Sequence, residues 1–590
     1  MLTILDLKSN SDRSSVYSLI ESRRQGVFYA FTPLAAWILE SKGIRYRTLQ
    51  EIMDESKYHR ECMNNLERVR ELLKTIQPED TEPFLGLYYW IKLFADYLFQ
   101  ENAKFEFLKD KEVLVITDVL AGDGTFGDHV LNRRSLYVEC LQKSDSVRIK
   151  RIKRKLKPSR AIKGFLKALG FKKVQAFLGS RGKKRLDGRH GTVIAAFHYD
   201  WEIYKTELLT RYSSLTPVEL VDWMKKEGAG AQPVASIESF LSQFNKKFGS
   251  LSKEILVGAA SVLKKEVSRY FDLQALIKAN IGKAILHSQI KGALGTYTSS
   301  FEEFLTAYYL KQANIPTLFY QHGAYFPMEM NLSLEYSEVL PATVNLVIGK
   351  GDADLFEKSS ALTRCEVVGS AALERLPQST PPENGKFLYV LDVSGGNAAA
   401  TNSDLYWPTL DGLSILNRHR AVIDLFAQFP EHELLLKPHS GYLDWCLYTP
   451  LKEYIRSRKI RNVRMMGSNL RTTDLLSKFQ YVILDYACTT LLQALALGHK
   501  GVVCHIGKTV LLPAAVEQNL VRAYPCTKND DELIALLRSV LKKNKIISTN
   551  EAGFRHFNEL YGCGSDSYSR VSEFLKVALE RKDRSLHATT

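Results

Sequence analysis

The chain is 590 residues long and contains no uninterrupted apolar run of the roughly 18 residues that a membrane-spanning helix needs. Its opening stretch, residues 1–15, lacks the basic segment followed by an apolar core that marks a secretory signal. A cytoplasmic location is therefore expected, free or peripheral on the inner face of the cytoplasmic membrane. The eight cysteines include no C-x-x-C pair and no Cys/His spacing suited to zinc, so neither a disulfide framework nor a structural metal is expected. No self-similarity at a period of about 20–50 residues is evident, which argues against a solenoid or propeller.

What is present fits a folded α/β protein. Hydrophobic residues make up 45% and charged residues 25%, with a mean hydropathy of −0.17. A chain of this length exceeds one core and should divide into two or more domains. Net charge is +15, yet residues 143–190 alone hold 18 Lys/Arg against Asp145 and Asp187, so the rest of the chain is close to neutral. A local run of this kind points to an anionic partner. Within it Ile162, Phe165, Leu166 and Leu169 recur at helical spacing beside Lys163, Lys167, Lys172 and Lys173. That pattern suits an amphipathic helix on anionic headgroups or a polyanionic acceptor, though a solvated insertion would read almost the same. No aromatic platform or zinc finger accompanies it, so nucleic acid is not the expected partner.

Periodicity places strands at Leu2–Leu7, Gly26–Phe31 and Tyr46–Leu49, with a helix at Pro33–Lys42. Residues 51–105 read as a helical insertion, Glu112–Leu120 and Thr192–Phe197 as further strands, and residues 214–290 as a second helical insertion. Ala293–Thr298 and Thr317–Gln321 then bracket the helix Phe301–Ala313. A second α/β unit is expected from Val344–Gly349, with strands at Cys365–Val368, Lys386–Asp392, Glu433–Lys437, Val463–Met466, Tyr481–Asp485 and Gly501–His505 alternating with helices. The expected plan is an α/β architecture of two Rossmann-like domains facing a cleft. Residues 1–340 form the acceptor side, 341–575 the donor side and 576–590 a tail.

Chemistry is expected where polar turns follow apolar strands, because ligands of open α/β sheets gather at the carboxyl ends of strands and helix N-termini attract anions. Lys437-Pro438-His439-Ser440 offers a cation, an imidazole and a hydroxyl after one such strand. Asp485-Tyr486-Ala487-Cys488-Thr489-Thr490 leads from another strand into a helix, whose first-turn N–H groups and Thr hydroxyls can receive phosphate oxygens; Asp485 would orient the turn. N-capping by Thr is the ordinary alternative use. Cys488 is a nucleophile only if a base lies beside it, and nothing in the sequence places one there. Gln321-His322-Gly323 ends a strand of the first unit and puts an imidazole of near-neutral pKa at its carboxyl edge, the type of group that serves as a general base. Gly122-Asp123-Gly124-Thr125-Phe126-Gly127 satisfies G-x-G-x-x-G, but the nearest acidic candidate for a ribose contact, Glu139, follows Gly127 by only 12 residues and no alternate strand clearly carries it. Gly122, Asp123, Gly124 and His198 are therefore taken as walls of the acceptor side.

In their order and strand context these turns resemble the GT-B transferases of bacterial surface-polymer synthesis, the CDP-glycerol glycerophosphotransferase and capsule-polysaccharide transferase group. The match lies in His322-Gly323, Lys437-Pro438-His439 and the stretch Asp485 to Gly498 with its A-L-x-L-G ending. Val367-Val368-Gly369-Ser370 and the segment 562–570 support it, and the likeness covers roughly residues 293–575. Ser440 stands where the group usually has Pro, Ala487-Cys488 replace a Ser pair, and Gln493 occupies a place often taken by Glu. The resemblance implies that His322 activates the acceptor and that Lys437, His439, Ser440, Asp485, Cys488, Thr489, Thr490 and Gln493 form the donor site. It implies a nucleotide-activated sugar or polyol donor, a glycan or lipid-linked acceptor, no cofactor and no metal. The expected activity is an inverting glycosyl transfer. A CDP-polyol phosphotransferase, a nucleotide-sugar 2-epimerase and a non-catalytic polyanion-binding or membrane-binding protein remain alternatives.

Overall fold

The computed structural model describes residues 1–7, 13–75, 82–119, 134–152, 191–196, 213–226, 237–296, 298, 300–321, 323, 335–359, 364–374, 376, 383–391, 412–438, 448–466, 470, 472–506, 512–543, 550–562, 564 and 566–580. Among these residues the strands form three parallel sheets. The first runs β3-β2-β1-β4-β5, from β1 (Leu2–Asp6), β2 (Val27–Ala30), β3 (Tyr46–Thr48), β4 (Val113–Thr117) and β5 (Val147–Arg151). The second runs β11-β10-β9-β8-β6-β7, from β6 (Thr192–Ala196), β7 (Ser213–Leu215), β8 (Ile290–Gly295), β9 (Thr317–Tyr320), β10 (Val344–Val347) and β11 (Arg364–Val367). The third runs β14-β13-β12-β15-β16-β17, from β12 (Glu383–Val390), β13 (Glu433–Lys437), β14 (Val463–Met465), β15 (Phe479–Leu484), β16 (Val502–His505) and β17 (Cys526–Thr527).

The α/β class expected from the sequence is the class observed, but the division of strands differs. The strands before residue 340 build two sheets, separated by a helical layer that includes Glu55–Lys74, Tyr88–Leu108 and the long helix Lys253–Ser288. Val344–Val347 and Arg364–Val367, read as the start of the C-terminal unit, extend the second sheet instead: Leu346 lies opposite Tyr320, and Val347 opposite Val367. Strand periodicity reports that a segment is a strand and which side is buried, not which neighbour it pairs with.

The first sheet feeds two cores because alternate residues point to opposite faces. Ile4, Tyr29, Val113 and Val115 pack into the helical layer that also receives the long helix. Leu5, Phe28, Ala30, Leu114 and Ile116 belong to a core shared with Phe387, Tyr389, Leu434, Leu436, Tyr481 and Ile483 of the third sheet. Helix Pro33–Ser41 is started by the Thr32 hydroxyl, which accepts from Ala35 N–H at 3.2 Å, with Pro33 at its first position. That helix packs against Tyr448–Ser457, and Arg420 forks onto Glu40 at 3.2 and 2.8 Å across the same junction.

The last helix, Ser567–Glu580, returns to the second sheet and buries Val571, Leu575, Ala578 and Leu579 against Val193, Leu294, Leu318 and Leu346. Residues 576–580, read as part of a tail, are thus the packed end of this helix. Its start is held by the Glu374 carboxylate, which accepts from the backbone N–H groups of Asp566 and Tyr568 at 2.8 and 3.2 Å. Gly369, at φ +78°, lies so close that a Cβ there would fall 2.1 Å from Ser567 Oγ. The two supporting stretches singled out in the sequence therefore meet. Among the described residues no helix is long and apolar enough to cross a membrane.

Candidate functional site

The third sheet reverses its strand order between β12 and β15, and the carboxyl ends of strands at such a reversal open a crevice. Lys437 ends β13, next to β12. It is only 4% exposed, its Nζ donates to the Pro438 carbonyl at 2.9 Å, and burial lowers its pKa. No ion pair joins it to a carboxylate among the described residues. A buried ammonium served by one carbonyl is short of negative charge, which an anion would supply.

Beyond β15 the chain turns through Asp485, Tyr486 and Ala487 into helix Thr489–Ala496. Cys488, not a threonine, is the N-cap, and no side chain caps the helix through it. The first-turn N–H groups are thereby left to other acceptors. Thr489 is exposed and Thr490 is buried. Gln493 lies one turn along on the face of Thr489, and its Oε1 is buried with no hydrogen-bond partner among the described residues.

Asp485, expected among the donor-binding residues, is fully buried and holds the turn in place. Its carboxylate accepts from Tyr389 Oη at 2.5 Å, from the His419 ring, and pairs with Arg418 Nε at 3.2 Å. Burial acts to raise the Asp485 pKa, but Arg418 and His419, with the hydrogen bonds of His419 and Tyr389, outweigh it and hold the carboxyl well below its usual range. Arg418 extends to Asp530 at 3.5 Å, which His505 meets at the same distance. His505 in turn contacts Thr527 Oγ1 at 2.9 Å, and burial, with Arg418 nearby, lowers its pKa. This network ties the carboxyl ends of β15, β16 and β17 to helix Leu413–Ala427. Sequence reasoning missed Tyr389, Arg418, His419, His505 and Asp530; the available signal was the polar run Asn417-Arg418-His419-Arg420 between the apolar stretches of one helix.

The opposite lip comes from the second sheet. At the end of β9, Gln321 is buried, its Nε2 donates to Gly323 O at 2.7 Å and its Oε1 accepts from Ile348 N–H at 2.8 Å. Gly323 abuts the helix opening of the third sheet: a Cβ built on it would lie 2.7 Å from Thr489 Oγ1. The carboxyl edges of two sheets thus converge at Gly323 and Thr489. Lys437 stands two strands from β15, roughly 10 Å at ordinary strand spacing. The first sheet also reverses order, between β1 and β4, but there its own side chains fill the crevice. Lys104 sits 3.7 Å from Asp6 and 3.3 Å from Glu101, and Tyr137 Oη donates to Asp6 at 2.7 Å, all buried.

His322, His439 and Ser440 lie outside the described residues, as do Gly122, Asp123, Gly124, His198 and the segment 153–190 that holds most of the basic run. Of that run, residues 147–151 form β5, an edge strand of the first sheet.

No family model matches the chain, and no curated protein matches it. Solved structures similar to it include a glycosyltransferase from Rickettsia africae, at 12% identity over 66% of this chain and 99% of that one, with a TM-score of 0.33. Another is the Anabaena protein HepE in complex with UDP and glucose, at 11% identity over 66% of this chain and 100% of that one, TM-score 0.36. A third is a UDP-GlcNAc 2-epimerase from Methanocaldococcus jannaschii, at 11% identity over 65% of this chain and 99% of that one, TM-score 0.36. At such scores the architecture stands on this chain's own strand orders.

Proposed function

We propose that the protein is a GT-B-type transferase that takes a nucleotide-activated donor into the gap between Thr489 and Lys437 and passes its sugar to an acceptor hydroxyl offered from the second sheet. The observation that carries this reading is the convergence of two carboxyl edges at Gly323 and Thr489, two strands from a buried lysine that has no carboxylate partner among the described residues. His322, next to Gly323 in sequence, is the proposed base that takes the acceptor proton. The acceptor oxygen attacks the anomeric carbon in line, inverting it, and the diphosphate leaves toward Lys437, His439 and the helix opening. These positive groups do the work of a metal ion in the proposed, metal-independent reaction. Gln493 Oε1 is assigned to a donor hydroxyl. We take the acceptor to be a bacterial surface glycan, lipid-linked, with the basic run at residues 143–190 against an anionic membrane surface.

The test incubates purified protein with UDP-, CDP- and GDP-sugars and CDP-glycerol, with and without acceptor glycan. Release of nucleotide coupled to glycan extension is expected, with His322→Ala losing turnover while retaining nucleotide binding. Isomerised free nucleotide sugar would mean an epimerase, release of CMP with polyol phosphate transfer would mean the phosphotransferase, and nucleotide or lipid binding without turnover would remove the enzymatic reading.

A further inference from the structure

We propose that Gln321 is a positioning residue, whose carboxamide fixes the second-sheet lip at the distance from Thr489 that transfer requires. The inference rests on the transferase reading for its functional half. Its structural half rests on three contacts. The Gln321 backbone N–H donates to Leu346 O at 2.9 Å, which continues the β9–β10 ladder one residue past the strand. Its side-chain Oε1 accepts from Ile348 N–H at 2.8 Å, which ties it to the turn after β10. Its Nε2 donates to Gly323 O at 2.7 Å, across the intervening residue.

A glutamine used this way is a brace between two strand ends. Both ends of a buried amide are engaged, so the side chain has one low-energy orientation, and the backbone at Gly323 follows it. The lack of a Cβ at Gly323 is what permits this close approach, since one built there would lie 2.7 Å from Thr489 Oγ1, and drift away would open the gap. Gln321 itself is 3% exposed and flanks the gap from behind, so it supports the lip without lining the gap. Its effect should appear in the rate of the bound complex and not in the affinity for nucleotide, because Lys437 and helix Thr489–Ala496 belong to the other sheet. A misplacement of about 1 Å can cost about a hundredfold in rate.

The experiment compares the wild-type chain with Gln321→Met, which keeps the volume and removes the hydrogen bonds of the carboxamide. Gln321→Asn serves as a second variant, having the same groups on a stem too short to span both partners. Titration calorimetry with UDP and CDP is expected to give affinities within about threefold of wild type for both variants. The kcat of transfer is expected to fall by roughly ten- to a hundredfold with donor KM little changed. Hydrogen exchange provides an arm independent of activity: exchange at the Ile348 amide should rise several-fold, while residues 489–496 and residues 113–117 of the first sheet keep their protection. Wild-type kcat in a folded variant would overturn the proposal, and so would unchanged exchange at the Ile348 amide. A wild-type protein that turns over none of the donors would instead remove the transferase reading, leaving the bracing role to be decided by exchange alone.

Discussion

At the scale of single residues, the account depends on two groups whose surroundings leave little freedom. Gly323→Ala should destabilise the protein by about 1–3 kcal/mol, the usual cost of forcing an extra methyl into a packed contact. Because the clash is with Thr489 Oγ1, Thr489→Ala in the same chain should recover most of the loss. A double-mutant cycle by chemical denaturation measures this coupling, and strict additivity would mean that the two lips do not touch. Asp352, fully buried, is the second group: burial pushes its pKa up to about 7, against the opposing hydrogen bonds of Gln321 and Gly349 N–H. A carboxyl whose folded pKa exceeds its unfolded value near 4 contributes stability below that value and loses it as pH rises toward 7. The loss amounts to about 4 kcal/mol. Asp352→Asn should therefore gain on the wild type between pH 5 and pH 8; stability curves that run parallel across this range would contradict the assignment.

At the scale of elements, the turn from β15 into helix Thr489–Ala496 is held from behind by Asp485. Asp485→Asn leaves the buried Arg418 with only the half-exposed Asp530 as a carboxylate partner among the described residues, a loss of about 3–5 kcal/mol. Its low folded pKa means the wild-type contribution is present above the ordinary carboxylate range and is lost only as pH falls through that depressed value. Denaturation midpoints of the two proteins should thus differ most near neutrality and converge in strong acid; an equal gap at every pH would show that charge is not the cause. This network also shows what a sequence hides. Strand β13 and helix Asp530–Lys543 were legible to the residue, since an apolar run or a 3.6-residue pattern with an acidic first turn defines each locally. The turns at Lys437 and Asp485 were legible for the same reason. Tyr389 and His419 were not: they reach Asp485 from 96 and 66 residues away and share no local pattern with it. Strand β5 was masked by its own charge, because Val-Arg-Ile-Lys-Arg reads as part of the basic run, although alternation along an edge strand explains it equally well.

At the scale of the whole molecule, the sheet that precedes the others in sequence belongs to neither side of the gap alone. One face enters the helical layer that covers the second sheet, and the other shares a core with the third. The last helix then crosses from the third unit back onto the second. Shared cores, one of them packing Val347, Ile348 and Phe356 directly against Leu388, Val482 and Leu491, and the last helix therefore join the two lips, and together they set how far Gly323 stands from Thr489. The sequence reading of two units missed the third sheet because strand segments do not declare their partners, but it did locate the edges that converge. The most direct measurement is a crystal structure of the protein with UDP or CDP bound. The account predicts diphosphate oxygens within hydrogen-bond reach of the Thr489 and Thr490 N–H groups and of Lys437 Nζ, with Gly323 facing them across the gap. A nucleotide seated instead at the end of β1 and β4, or on any surface away from helix Thr489–Ala496, would contradict it.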